Sequence, residues 1–201
     1  RNRLLKDLYM NPSLKETLDI WDMQMLQYGT KIIKKRKDFV RDLNLVIQDI
    51  HHNLTGGIEH LEVVYEPSTE AEDFENVLKK NRERDIRMKM TSAGPHRDDL
   101  SFVVNGIDIR KYGSQGQQRT AALSLKLSEI YLVKEKIKDT PVLLLDDVLS
   151  ELDCNRQTYL LDCIHDIQTL ITCTGLDDFV SHQFHLNKVF KVVKGEVFEP
   201  S

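Results

Sequence analysis

The sequence predicts an α/β fold preceded by a helical arm, on three observations. Residues 14–54 carry apolar side chains at three- and four-residue steps, the period of a helix with one buried face. Val142-Leu143-Leu144-Leu145 is a continuous apolar run, as in a strand covered on both faces of a largely parallel sheet. Between Pro141 and Cys173, strand patterns alternate with a helical one, which argues for a parallel layer. The expected partition is a helical arm at 1–57, a linking strand and helix at 58–90, and an α/β lobe at 91–201.

Asn11-Pro12-Ser13, with Glu16 three positions after Ser13, predicts a capping box that starts the first long helix. Its stripe runs through Leu14, Leu18, Trp21, Met25, Tyr28 and Ile32, then resumes at Phe39, Leu43, Ile47, Ile50 and Leu54. Gly29 marks a weak point between the two parts, as in a helical hairpin or bundle, and Gly56-Gly57 ends the pattern. Lys31, Lys34, Lys35, Arg36, Lys37 and Arg41 form the densest basic cluster. It reads either as a solvated helix face or as a contact for DNA or an acidic partner, with Lys34, Lys35, Arg36 and Arg41 as the candidates.

Ile58 to Tyr65 reads as a strand with Leu61, Val63 and Tyr65 on one side. Phe74 to Met90 reads as a charged, ion-paired surface helix. Gly94-Pro95 makes a turn, and Leu100–Val104 is a strand. Asn105-Gly106 is a type I′ hairpin signal, with a return strand at Ile107–Ile109. In His96-Arg97-Asp98-Asp99 a histidine stands beside carboxylates and is able to act as a base. Nothing nucleophilic adjoins it in sequence, and Arg97 reads as a structural or interdomain ion-pair residue in preference to a nucleotide contact. The pattern from Gln117 to Ile137 is apolar around most of its circumference, which predicts a buried helix. A helix at Cys154–Ile167 and strands at Thr169–Cys173 and Lys188–Val193 follow, then a Lys194-Gly195 turn and a return strand through Phe198.

Two stretches carry chemistry. In the loop before Gln117, Gly113 and Gly116 relax the backbone beside Ser114. A helix N-terminus leaves N–H groups unpaired and favours negative charge, so with a serine hydroxyl it is able to hold a phosphate. A capped helix after a turn explains the same residues. Asp146 and Asp147 end the apolar strand, where open α/β sheets bind ligands. Two adjacent carboxylates in a half-buried place call for a cation, and Mg²⁺ is the usual one beside phosphates. Alternation along the strand would aim one at the metal and the other at an attacking water. A strand followed by a polar turn is the alternative.

The run Ser114-Gln115-Gly116-Gln117-Gln118 resembles the signature motif of ABC-type ATPases. Leu143-Leu144-Leu145-Asp146-Asp147 resembles their Walker B strand, and Ser150-Glu151-Leu152-Asp153 their D-loop. Thr91 to Leu100 and Tyr112 to Thr120 are similar, more narrowly, to the RecF family, the SMC-like ATPases of bacterial recombinational DNA repair. The resemblance extends over the whole chain. It implies the C-terminal lobe of an ABC-type (SMC-like) P-loop ATPase with a helical arm domain. It also implies a head-to-tail homodimer that sandwiches ATP. Ser114, Gln115, Gly116 and Gln117 would meet the γ-phosphate in trans, and Asp153 would cross the dimer interface. Asp146 would hold Mg²⁺ through water. Asp147 stands where the wider family has a catalytic Glu, and would orient or deprotonate the attacking water. Its shorter side chain implies slow hydrolysis. The implied role is ATP-gated binding of double-stranded or gapped DNA, with a RecR-type repair protein, in loading the recombinase.

Two departures qualify the resemblance. No Gly-x-x-x-x-Gly-Lys-Ser/Thr run occurs, so the phosphate loop is not in this sequence. With Arg1 as its first residue, the chain is expected to be the C-terminal part of such a protein and inactive by itself. Thr174 also stands where many ABC ATPases carry a histidine. The rival expectation is a non-catalytic interaction piece, whose arm and lobe bind a repair partner.

Composition bounds the rest. A net charge of -4 gives no global field toward nucleic acid, so DNA contact requires a local basic patch. Cys154, Cys163 and Cys173 contain no Cys-x-x-Cys pair, which argues against a zinc site or a disulfide framework and favours a reducing compartment. No apolar stretch is long enough to span a bilayer, and no signal-peptide pattern is present. A cytoplasmic location with no membrane contact is expected.

Overall fold

The computed structural model describes residues 1–149, 152–173 and 188–199. Contacts divide the chain into two units, Arg1–Pro141 and Val142–Ser201. In the first unit α1 (Asn2–Asp7) and a 3-10 turn (Pro12–Thr17) lead into α2 (Leu18–Leu54). Then come β1 (Leu61–Glu66), α3 (Phe74–Met88), a 3-10 turn (Pro95–Arg97), β2 (Asp99–Val104), β3 (Ile107–Asp108), α4 (Ile109–Tyr112) and α5 (Gln115–Ile137). The second unit holds β4 (Leu143–Asp146), α6 (Cys154–Ile164), β5 (Thr169–Thr172), β6 (Lys191–Val193) and β7 (Glu196–Phe198).

The core of the first unit lies between α2 and a three-stranded antiparallel sheet, β1-β2-β3. Val40, Leu43 and Ile47 of α2 pack with Leu61, Val63, Val104 and Ala121. Each fully buried side chain of this size contributes about 1.5–3 kcal/mol. β1 is an edge strand, and the Asn44 side chain closes its edge. The amide donates to Val63 O at 2.7 Å and accepts from Val63 N at 2.9 Å. Asn105 and Gly106 have φ of 49° and 83°, the left-handed pair that a type I′ turn requires, between β2 and β3.

The arm departs from expectation in three ways. Residues 12–17 form a 3-10 turn in which Ser13 Oγ donates to Asn11 Oδ1 at 2.7 Å, so the capping box with Glu16 does not form. Gly29 is no weak point, because α2 runs unbroken for 37 residues. The expected stripe holds at Leu18, Leu43, Ile47 and Leu54, but between Trp21 and Phe39 the buried face is rotated from it. Ile33 and Val40 are buried, whereas Trp21, Tyr28, Ile32 and Phe39 are exposed. The cause is a close approach: a Cβ at Gly29 would lie 2.5 Å from the Phe74 ring of α3. Phe74 is wholly buried, and only a glycine makes room for it.

In α5 burial is concentrated at Thr120, Ala121, Leu123, Ser124, Leu127 and Ser128. Tyr131, Val133 and Ile137 reach solvent, so the helix is covered on one side of its first half and not all round. In the second unit β4 and β5 pair in parallel, with Leu143 opposite Thr169 and Asp146 opposite Thr172. Leu145 is buried, but Leu144 is 71% exposed and Leu170 is 55% exposed. The expected burial on both faces is therefore not present among the described residues, where this layer has two strands and one covered face. β6 and β7 form a hairpin through Lys194 and Gly195. The D-loop positions Ser150 and Glu151, and Thr174, lie outside the described residues. No helix among the described residues is long and apolar enough to cross a membrane.

Candidate functional site

In the first unit the glycine loop ends in a reciprocal cap. Ser114 Oγ accepts from Gln117 N at 3.2 Å, and Gln117 Oε1 accepts from Ser114 N at 3.0 Å. This is a capping box at the head of the 23-residue α5. The cap does not exhaust the serine, because a hydroxyl that accepts one bond keeps its own proton to donate. The two glycines have separate reasons. A Cβ at Gly113 would sit 2.6 Å from the Ile109 carbonyl of α4, whereas one at Gly116 would meet nothing nearer than Ser114 Oγ at 3.8 Å. Gly113 thus permits packing, and Gly116 keeps an open surface. Gln115 is exposed, and Gln117 Nε2 donates to Glu59 at 2.9 Å.

The cations next to this loop are already matched. Lys111 pairs with Asp108 at 3.0 Å and Arg110 with Asp99 at 2.8 Å. The hydrogen bond from Lys111 holds the Asp108 carboxyl below the usual carboxylate range, and the bond from Arg110 does the same for Asp99.

In the second unit Asp146 ends β4, and its carboxylate accepts a hydrogen bond from the Thr172 hydroxyl of β5. Asp147 N donates to Thr172 O at 3.1 Å. Asp147 has left the strand, with φ of 51°, a conformation that costs an L-residue roughly 1–2 kcal/mol. The turn and not strand alternation therefore sets its direction. Both aspartates are exposed rather than half-buried. Thr172 is the residue that sequence reasoning missed. Its signal was only a hydroxyl residue at the end of an apolar strand.

The donors at the end of β4 are hard oxygens. No group of three or more His, Cys, Asp or Glu side chains converges among the described residues. Asp146 offers an exposed hard oxygen beside a hydroxyl, which fits Mg²⁺, an ion that keeps several waters and takes phosphate oxygens. Asp153 caps α6: its carboxylate accepts from Arg156 N at 3.1 Å and pairs with the Arg156 side chain at 3.2 Å.

The basic cluster on α2 is largely neutralised. Lys34 lies 3.7 Å from Glu72, Lys37 pairs with Glu70, and Arg41 lies 3.2 Å from both Asp38 and Asp42. Lys35 is exposed on the same helix. Arg36 donates to the Pro95 carbonyl at 2.6 Å and lies 3.1 Å from Asp98. The Asp98 side chain is 1% exposed, and it also accepts from Ser68 N and the Tyr65 hydroxyl. The ion pair expected of Arg97 is thus made by Arg36. Arg97 instead donates to the Thr91 carbonyl at 3.3 Å.

No family model matches the chain. It is 63% identical over 197 residues to the DNA replication and repair protein RecF of Agathobacter rectalis, covering 98% of the chain and 54% of that protein. It is 60% identical over 199 residues to RecF of Lachnospira eligens, covering 98% of the chain and 55% of that protein. Among solved structures, the recombination mediator RecF with ATP, of the RecFOR pathway, superposes with a TM-score of 0.84 at 34% identity, over 100% of this chain and 55% of that one. The chain thus spans about 55% of the length of the relatives it matches. With this agreement in sequence and in fold, the chain belongs to the RecF family and has the α/β fold of the C-terminal part of that ABC-type ATPase.

Proposed function

We propose that the protein carrying this chain is an ATP-gated, DNA-binding recombination mediator of the RecF type, acting in the cytoplasm at gapped DNA. The observation that supports this most is the Ser114–Gln117 capping box at the head of α5, in a chain similar over its full length to a mediator solved with ATP. In this reading two copies close head to tail around ATP. Ser114, Gln115, Gly116 and Gln117 meet the γ-phosphate bound by the partner copy. The Ser114 hydroxyl donates to it, and the helix end adds unpaired N–H groups. Asp146 would hold Mg²⁺, which when bound would neutralise phosphate charge. Asp147 orients the attacking water, and Asp153 faces the partner copy. DNA and a RecR-type protein are the macromolecular partners.

Sedimentation of the intact protein tests this reading. ATP should convert the wild type to a dimer, and Ser114→Arg should block the conversion while ATP binding persists. Dimerisation of Ser114→Arg at wild-type ATP concentrations overturns it.

One observation favours a second, compatible role for the arm as a protein-docking surface. Tyr28, Ile32 and Phe39 line a groove of about 370 Å³ on α2, flanked by Lys31 and Lys35. Capture of the repair partner should be lost in Tyr28→Ala/Ile32→Ala, with ATP-dependent dimerisation intact.

A further inference from the structure

His51 is the one wholly buried histidine among the described residues, and it stands in the last turn of α2. Its ring lies between α5 and the loop that leads to β1. On one side, Nδ1 is 2.9 Å from Ser124 Oγ. On the other, Nε2 is 3.2 Å from Glu59 Oε2. The hydrogen bonds of Ser124 constrain the protons of the ring. A serine hydroxyl has one proton, and Ser124 donates its own to the Thr120 carbonyl at 2.8 Å. Toward His51 it must accept, so Nδ1 carries a hydrogen. A neutral imidazole protonated at Nδ1 has a bare lone pair on Nε2. That lone pair would face a carboxylate oxygen, which also only accepts. The contact needs a second proton.

We infer that His51 and Glu59 share this proton as a buried imidazolium–carboxylate pair, and that the pair is a positioning element for the Ser114 loop. Burial alone opposes the charged ring. The Glu59 carboxylate and the C-terminal end of α2, where the helix dipole favours a cation, offset it. Glu59, from the loop between α2 and β1, brings a carboxylate to the ring. From α5 come the Ser124 hydroxyl and, on the other Glu59 oxygen, the amide of Gln117. Because a carboxylate accepts only, Gln117 must turn its NH₂ toward Glu59, at 2.9 Å. Its carbonyl then faces Ser114 N, at 3.0 Å. The orientation of Gln117, and with it the cap that holds Ser114, depends on the charge of Glu59. Losing the shared proton at alkaline pH sets a lone pair against that carboxylate, drives Glu59 away, and frees the cap. His51 and Glu59 touch no ligand; they act through Gln117.

The functional half of this inference rests on the role proposed above for Ser114, and the protonation half does not. The test uses the intact protein with ¹⁵N-labelled histidines, with the His51 signals assigned by their absence in His51→Gln. Near neutral pH the wild-type ring should carry hydrogens on both nitrogens. Glu59→Gln keeps the shape and hydrogen-bonding capacity of the site, and should return the ring to a neutral form. A neutral His51 ring in the wild type overturns the inference. ATP-dependent dimerisation of Glu59→Gln should weaken about tenfold near neutral pH. It should also lack the alkaline decline of the wild type, a change of pH profile that loss of stability alone would not produce. A charged ring with unchanged dimerisation in Glu59→Gln overturns the positioning role. Failure of the wild type to dimerise with ATP refutes the role of Ser114 and this functional half together, while the spectrum still decides the proton.

Discussion

Asp147 sits in a left-handed conformation that asparagine adopts at least as readily as aspartate. Asp147→Asn should therefore leave the melting midpoint unchanged or raised, while ATP turnover of the intact protein falls by about 100-fold or more. Wild-type turnover in this variant would remove Asp147 from the reaction. Tyr65 offers a pH readout of the packing below α2. Burial, and then its hydrogen bond to Asp98, push the phenol up to about 12 from its ordinary 10.0. The native state then holds a proton that the unfolded chain releases. The stabilisation is complete below pH 10 and is lost as pH rises through about 12. Chemical denaturation across this range should show a decline that Tyr65→Phe flattens. At this scale the sequence displayed the candidate residues but not the partners that the fold gives them. Asp146 and Ser114 stood out, whereas Thr172 and the Arg36–Asp98 pair did not, because 26 and 62 positions separate the members of those contacts.

Elements were legible wherever the signal was local. Asn105-Gly106 marked its hairpin, and Gly56-Gly57 closes α2 with φ of 63° and 84°. The order of β4, α6 and β5 was read correctly from the alternation of patterns. The face of α2 between Trp21 and Phe39 was misread because two apolar stripes compete there, and a ring from a distant helix selects between them. Gly29→Ala tests that account. Helix propensity alone predicts a gain of about 0.5–1 kcal/mol for a glycine inside a helix. The clash with Phe74 reverses the sign, and a net loss of about 1–3 kcal/mol is expected in thermal or urea unfolding. A stabilised Gly29→Ala would mean that Phe74 packs elsewhere. The box expected at Ser13 and the one formed at Ser114 differ for a local reason. After Pro12 the chain tightens into a 3-10 turn, whereas Ser114 enters α5 extended, with ψ of 159°.

At the scale of the whole molecule, the contact boundary falls between Pro141 and Val142, next to an exposed segment. Lys138 ends α5 in a left-handed cap, and its side chain is 75% exposed. Brief trypsin treatment of the chain should cut first between Lys134 and Lys138, leaving an N-terminal core that keeps its helical circular dichroism. First cleavage within α2 would contradict the division. This boundary was not legible in the sequence, because α2 packs on β1 and α5 across positions that composition alone assigned to different segments. The unbroken course of α2 has a mechanical consequence. Thirty-seven residues at 1.5 Å each make a rod about 55 Å long, stiffened where Phe74 locks onto Gly29. One rod thus joins Leu18 to the His51 end without a hinge, so the far tip is held at a set spacing from the elements that carry the Ser114 loop.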